Sequence, residues 1–340
     1  MVIDPSGDIK LCCVQSDKNR LLSHHISKID NLIDYFNGDS YEAVRTEFKE
    51  KGWYNIPECD GCKIPFDAGR LPTVHWSQSF NPSLNKLQYL EFTTSNVCNQ
   101  SCVMCSSKFS NQWTKIEHMF GVINPGKTYI LTDKDINKIC ESLNDLEELQ
   151  IKGGEPFADI RNYKVIKKLF EVNDKCKVHI ITNGSLIPEK YMDMIFKNPK
   201  RFQISASIDA IGKRYEWIRG GPWKQTNEML QKLYYETGVK VDLVPCLSAY
   251  NTSSTSALNN YAKESEWVIY KKDYYKNHVH WPKWCDAQNV FTQEQINLID
   301  DLPFPLISNF SSYDYKTFLH NTNIMNSIRG FDMDIWNDMG

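Results

Sequence analysis

The 340-residue chain has no apolar run approaching the roughly 18–20 residues that a membrane-spanning helix requires. It also lacks charge of one sign. Lys and Arg total 39 against 42 Asp and Glu, a net charge of −3. Nothing in that balance calls for nucleic acid or an anionic membrane surface as a partner. The first residues, Met1-Val-Ile-Asp-Pro-Ser-Gly, contain neither the basic nor the apolar part of a signal peptide, so a cytoplasmic location is expected. Glycine and proline are modest, at 16 and 14, and there is no internal repeat or low-complexity tract. Hydrophobic residues make up 41% and aromatics 12%, enough for a sizeable core and too much for a disordered chain. Eleven cysteines are too few, and odd in number, for a disulfide scaffold of this size.

The cysteines are grouped. Cys12 and Cys13, Cys59 and Cys62, and Cys98, Cys102 and Cys105 form three clusters, while Cys140, Cys176, Cys246 and Cys285 stand alone. Grouped thiols in a reducing compartment more often ligate metal or carry out redox work. Cys176 and Cys246 lie in or beside apolar strand-like runs and are read as small core residues. Residues 1–80 are turn-rich, with a short strand at Ile9–Cys12, helical patterns near Ile26–Tyr35 and Ser40–Glu50, and cysteines at both ends. From Leu87 the pattern becomes strand–helix alternation. Strands are expected at Leu87–Thr93, Leu146–Ile151, Lys177–Thr182, Phe202–Ile208, Val239–Cys246 and Trp267–Lys271. Helices are expected at Ser106–Met119, Asp133–Leu143, Arg161–Glu171, Pro188–Phe196, Trp223–Tyr235 and Ser256–Glu264. Regular βα repetition predicts an α/β fold with a parallel sheet, either open and doubly wound or an incomplete barrel. Residues 276–340 read as a mostly helical extension.

Two motifs compete for the chemistry. Cys98-Asn-Gln-Ser-Cys102-Val-Met-Cys105 follows the first core strand and supplies three thiolates, one short of a closed tetrahedral site. His118 offers a fourth ligand for a zinc site of three cysteines and one histidine. Gly121-Val-Ile-Asn-Pro-Gly126-Lys127-Thr128 fits the phosphate-binding loop pattern. Such a loop must follow a strand and open directly into a helix. Here it follows a helical stretch and precedes the β-prone Tyr129-Ile130-Leu131, so it reads as an ordinary loop. The cysteine motif gains support from later strand ends. The second ends in Gly153-Gly154-Glu155-Pro156, the third in Thr182-Asn183-Gly184 and the fourth in Ser205-Ala206-Ser207-Ile208-Asp209, with Arg219 one segment on. Each has an ordinary reading as a turn glycine, a helix cap or a surface pair. Their order along successive strand ends is where α/β folds place ligands.

With these motifs in place, residues 87–275 resemble the radical S-adenosylmethionine (SAM) superfamily. The family's C-x3-C-x2-C matches Cys98, Cys102 and Cys105, which by that resemblance hold three irons of a [4Fe–4S] cluster, with SAM chelated to the fourth. The resemblance implies a partial (β/α)6 barrel. It implies that Gly153, Gly154, Glu155 and Pro156 hold the SAM amino group, that Ser207 and Asp209 hold the ribose, and that Arg219 binds the carboxylate. One departure is Met104, where the family usually has an aromatic residue near the adenine; a polarisable Met can cover the same face. The activity implied is reductive cleavage of SAM to a 5′-deoxyadenosyl radical that abstracts hydrogen from a substrate, with a one-electron donor such as flavodoxin or ferredoxin as partner.

Residues 1–80 resemble an auxiliary iron–sulfur module of the SPASM/twitch kind, on Gly7-x4-Cys12, Cys13 and Cys59-x2-Cys62. The resemblance implies a second iron–sulfur cluster on Cys12 or Cys13, Cys59 and Cys62. Its fourth ligand is left open between a residue preceding this start, Cys285 and a non-cysteine group. Zinc on Cys12, Cys13, Cys59 and Cys62 is the alternative, weakened by the awkwardness of adjacent cysteines on one ion. Modules of this type often accompany peptide or protein substrates. A non-catalytic zinc-stabilised binding module and a nucleotide hydrolase acting through Gly121–Thr128 are the rival functions. His24/His25 and His278/His280 are read as loop or strand-face residues rather than metal pairs.

Overall fold

The computed structural model describes residues 1–15, 24–67, 80, 86–122, 126, 128–271, 274, 277–299 and 302–337. The fold is α/β, as the alternation predicted, with a mostly parallel sheet of seven strands. These are β1 (Val2–Ile3), β2 (Ile9–Lys10), β3 (Tyr89–Phe92), β4 (Glu148–Ile151), β5 (Lys177–Thr182), β6 (Phe202–Ala206) and β7 (Val241–Leu243), in the order β2-β1-β3-β4-β5-β6-β7. Strands β3 to β7 therefore run in sequence order with helices between them, consistent with a partial barrel. A second sheet pairs β8 (Cys246–Leu247) with β9 (Asn277–His278).

The chain divides into two compact units. The first comprises Met1–Ser95, Thr128–Gly153 and Asp159–His179; the second comprises Asn96–Lys127, Gly154–Ala158 and Ile180–Gly340. In the first unit β1 lies parallel to β3, with Ile3 opposite Phe92, and antiparallel to β2, with Ile3 opposite Ile9. Strand β4 alternates half-buried Glu148 and Gln150 with buried Leu149 and Ile151, the period of a strand with one face inward. The helix Asp133–Glu141 starts in a capping box, with Thr132 Oγ1 and the Asp135 carboxylate each accepting from the other's backbone N–H, and buries Ile136 and Ile139. Helices Leu32–Asn37 and Asp39–Lys51 fill the amino-terminal segment, the first capped by Asn31 Oδ1, which accepts from Ile33 N and Asp34 N. A further helix, Asp60–Asp67, carries Cys62. It escaped the pattern because Gly61 and Pro65 both argue against a helix interior.

In the second unit β6 and β7 pair in parallel, Ser205 opposite Asp242. Beyond β9, helices Ala287–Val290, Gln293–Asn297 and Ser312–Arg329 are joined by irregular segments. The long helix Ser312–Arg329 buries Phe318 and Met325, and Asn326 Oδ1 accepts from Trp217 Nε1 at 2.8 Å, tying it to the helix Gly212–Arg219. Among the described residues no helix is long and apolar enough to cross a membrane.

Two strand expectations need correction. Val239–Cys246 is not continuous but splits into β7 and β8. Trp267–Lys271 is reduced to one bridge, Val268 beside Val241. Ile269 N still donates to Val241 O at 2.8 Å, yet Lys271 N donates to the Tyr274 hydroxyl and that hydroxyl donates to Ile269 O. A side chain has taken the bonds that a strand ladder would have made.

Ile3 is fully buried between two strand neighbours. Ile3→Ala is expected to cost about 2–5 kcal/mol, read as a lower urea midpoint, whereas the same change at exposed Ile307 leaves the midpoint in place.

Candidate cofactor and metal sites

The loop after β3 carries Cys98, Cys102 and Cys105, and its own backbone holds it open. Cys98 N donates to Asn111 Oδ1 at 3.1 Å and Gln112 Nε2 donates to the Cys98 carbonyl at 3.2 Å. Cys105 N and Trp113 Nε1 both donate to the Cys102 carbonyl, at 2.9 and 2.8 Å. Val103 N donates to Ile218 O at 2.7 Å, and Val103 is fully buried while all three cysteines remain half-buried. One buried residue thus anchors a turn that presents three thiols. Met104 beside it is half-buried.

Burial, then the neighbouring Cys102, pushes the Cys98 thiol up to about 11, and the same two causes push Cys105 up further. Left alone, these groups stay protonated at neutral pH. A bound cation or cluster would supply the positive charge that converts them to ligating thiolates. Two polar side chains already face the sulfurs. Asn183 Nδ2 lies 3.9 Å from Cys98 Sγ, and an Arg219 Nη1 lies 3.6 Å from Cys102 Sγ. Although burial opposes its charge, Asp209 and Cys102 outweigh that and hold the Arg219 guanidinium protonated above its ordinary range. Its Nε sits 2.7 Å from Asp209 Oδ2.

Two of the expected site residues make internal bonds as well. Asp209 is fully buried: one oxygen pairs with Arg219 and the other accepts from Cys246 N at 2.9 Å. It orients the arginine and the start of β8. Glu155 is also buried, and its carboxylate is consumed within the protein. Oε1 accepts from Phe157 N at 3.0 Å and Thr182 Oγ1 at 2.7 Å, and Oε2 accepts from Asn183 N at 2.8 Å. It ties the turn after β4 to the end of β5. Burial dominates over these three donors and pushes its carboxyl up to about 7.

The glycines before it are conformationally required. Gly153 and Gly154 have φ of 84° and 52°, a region that disfavours side chains, and a Cβ on Gly153 would strike the Thr93 side chain. Pro156 is buried and opens a short 3₁₀ turn. Ser207, half-buried just past β6, donates its N–H to Thr182 O at 2.9 Å.

Two supporting residues were not singled out from sequence. Asn183 sits on the named third strand end, and its amide also donates to Asn99 Oδ1 at 2.8 Å. Arg329, at the end of the last helix, donates to the Ser101 carbonyl at 2.6 Å, to Ser101 Oγ at 3.0 Å and to the Trp217 carbonyl at 2.8 Å. Nothing local in the sequence connects it to a cysteine loop more than two hundred residues away. His118 is exposed on the helix Trp113–Met119, and no set of three close ligand atoms among the described residues includes it.

The first unit contains a second cysteine site. Cys12, Cys13, Cys59 and Cys62 line one cavity of about 290 Å³, together with buried Glu58 and Glu91. Burial raises Cys12 to about 11 and Cys59 to about 12, with the neighbouring cysteines adding to both. Gly61 makes the approach possible, because a Cβ there would run into the Val14 carbonyl. Cys285, the other candidate ligand, is fully buried with its Sγ 3.9 Å from Val103 O. Cys176 is fully buried, as a core residue should be. Cys246 is half-buried beside Asp209 rather than in the core.

The Gly121–Thr128 pattern lies partly outside the described residues, Lys127 included. What is described follows the helix Trp113–Met119, and the next helix begins only at Asp133. Among the described residues this segment shows no strand-to-helix junction of the kind that phosphate binding requires. His24 Nδ1 meets the Tyr35 hydroxyl at 2.9 Å, and His25 Nδ1 caps the turn Ile26–Lys28, so that pair serves local structure.

Residues 92–247 match the family model described as the Radical SAM superfamily, a family that uses a [4Fe–4S] cluster and SAM. None of the curated proteins matches the chain in sequence. Among solved structures the chain is similar to native anSMEcpe with bound AdoMet, with 17% identity and a TM-score of 0.44 over 73% of this chain and 63% of that one. It is also similar to Streptococcus suis SuiB bound to precursor peptide SuiA (16%, 0.39, over 66% of this chain and 49% of that one). A radical SAM methyltransferase from Sphaerobacter thermophilus gives 13% identity and 0.37 over 74% of this chain and 66% of that one. The chain thus spans less than two thirds of the length of anSMEcpe.

Glu155→Gln leaves at least one of three buried donors facing an amide NH2, which should cost about 1–3 kcal/mol in urea unfolding. The pH response is a separate signature. With its carboxyl raised from 4.5 to about 7, the folded protein keeps a proton that the unfolded chain has lost, so this group's contribution to stability falls as pH rises through that window. Unfolding curves from pH 4.5 to 8 should show that component in the wild type and lose it in the glutamine variant.

Proposed function

We propose that this chain is a radical SAM enzyme whose catalytic [4Fe–4S] cluster is held by Cys98, Cys102 and Cys105. The observation that carries this reading is that one braced loop presents three half-buried thiols, with the Arg219 guanidinium facing Cys102 Sγ and the Asn183 amide facing Cys98 Sγ. Three soft thiolates suit an iron–sulfur cluster and leave one coordination position for a ligand. The family match over residues 92–247 supports the same cofactor pair.

When bound, the cluster and SAM supply one-electron cleavage of a carbon–sulfur bond and the abstraction of hydrogen from a substrate carbon. The electron comes from a one-electron carrier of the flavodoxin or ferredoxin class. This chain's residues do the positioning. Arg219, fixed on its Nε side by Asp209, keeps a positive charge beside the anionic ligand set and is the group we assign to the SAM carboxylate. The positive-φ turn at Gly153 and Gly154 brings backbone, without side chains, to the place assigned to the amino group. Glu155 keeps that turn in register from behind. Ser207 is assigned to the ribose and Met104 to the adenine. Asp209, which pairs with Arg219 and accepts from Cys246 N, is assigned with Ser207 to the ribose.

For the amino-terminal module we propose a second iron–sulfur cluster on Cys12, Cys13, Cys59 and Cys62. All four cysteines line one cavity, and its volume of about 290 Å³ leaves room for more than a single ion. Nor do any three of these sulfurs come within 4.8 Å of one another, as the ligands of one tetrahedral zinc would. A peptide or protein is the substrate class we propose, on the resemblance of this module to those of SPASM/twitch type.

Changing Cys98, Cys102 and Cys105 together to Ala should remove about four irons per chain and abolish reductive SAM cleavage; a triple variant that still cleaves SAM rejects the catalytic assignment. Changing Cys59 and Cys62 to Ala should lower iron by up to about four while SAM cleavage at the other site persists. Zinc in place of iron in anaerobically prepared protein would reject the second cluster only.

A further inference from the structure

We infer that His278, His280 and Asp286 form a third metal site, for a single divalent first-row cation of the zinc type, with a coordination position open to solvent. The ligand atoms of these three residues all lie within 4.8 Å of one another, and theirs is the one such set of histidine, cysteine or carboxylate groups among the described residues. All three belong to the second unit, away in sequence from every cysteine assigned above.

The local fold explains why they meet. His278 ends β9, paired in parallel with β8 so that it stands opposite Leu247, and Val279 N extends that pairing by donating to Leu247 O at 2.8 Å. In extended chain, residues two apart point to the same side, so His280 follows His278 on one face. Their ring centroids are 3.8 Å apart with planes tilted by 58°. Asp286 comes from the turn after Lys283–Cys285, which Ala249 N anchors by donating to Cys285 O at 2.8 Å. One Asp286 oxygen, Oδ1, caps the helix Ala287–Val290 by accepting from Gln288 N at 3.0 Å. The cap fixes the carboxylate and leaves Oδ2 directed at His280 Nδ1, 3.9 Å away.

Coordination chemistry fits this set. Imidazole nitrogens and a carboxylate oxygen suit zinc and its neighbours rather than magnesium or calcium, which prefer all-oxygen shells. At metal–ligand distances near 2.0–2.1 Å, tetrahedral donors stand about 3.4 Å apart. The His280–Asp286 pair needs a contraction of about 0.5 Å and the set as a whole at most about 1.4 Å, which rotations of the exposed His280 and half-buried His278 side chains can provide. Asp286 is buried and His280 is 65% exposed, so an ion held between them faces protein on one side and water on the other. Three protein ligands and an open position are the arrangement that takes up a water or a substrate oxygen.

The competing account is a plain ion pair between protonated His280 and Asp286, with His278 packed against it. The two are separated by zinc binding to the cluster-loaded, anaerobically purified full chain, measured by competition with a chromogenic chelator. His280→Ala removes an exposed side chain and Asp286→Asn retains the cap oxygen, so neither is expected to unfold the protein; circular dichroism checks this. The wild type should bind one zinc per chain at micromolar concentration, and each variant should bind it more than tenfold more weakly, at unchanged cluster iron. A loss of less than tenfold in either folded variant, or no binding by the wild type at millimolar zinc, overturns the site.

Discussion

Three thiolates cannot share a half-buried loop unless something positive stands among them. That constraint organises the second unit. Burial and mutual repulsion hold Cys98 and Cys105 as neutral thiols when nothing is bound, so the loop is built for a cationic centre. Arg219 puts a permanent positive charge beside the sulfurs, and a buried guanidinium is costly unless it is paired. Asp209 supplies that pair, and its second oxygen anchors the start of β8. The strand ends and the cysteine loop are linked through a single chain of charge: sulfur, guanidinium, carboxylate, backbone.

The loop needs mechanical support as well, because a cluster requires its ligands in a fixed arrangement. Trp113 and Asn111 hold it from one side, Ile218 takes the Val103 N–H, and Arg329 grips Ser101 from the last helix. Burial pushes Arg329 down to about 10, which still leaves it charged at neutral pH. Glu155 performs the matching task at the end of β4. A carboxylate that accepts three internal bonds is a brace, and its value lies in placing the glycine turn in front of it.

Much of this was legible in the sequence, for physical reasons. Ligands proposed to share one metal centre on one loop are close in sequence, so Cys98, Cys102 and Cys105 could be picked out as candidates from spacing alone. Helix starts at Asp133 and Pro188 followed from helix-start signals, and the α/β class with a parallel sheet followed from βα alternation. What was not legible depended on distance between side chains. The internal bonds of the charged site residues were not visible: Asp209 pairs with Arg219, and Glu155 accepts from two backbone amides and the Thr182 hydroxyl. The strand at Trp267–Lys271 had the right composition and lost its ladder to one tyrosine hydroxyl. Arg329 carried no local signal at all. His278 and His280 looked like an exposed pair until Asp286, capping a short helix six residues on, came into view.

The central claim is that the cluster held by Cys98, Cys102 and Cys105 keeps one iron open to SAM. Electron paramagnetic resonance of the reduced protein tests it most directly, using the Cys59→Ala/Cys62→Ala variant so that the catalytic cluster is observed by itself. Adding SAM should change the signal of that cluster, because the ligand enters its coordination sphere. A four-iron signal that is identical with and without saturating SAM would contradict the account.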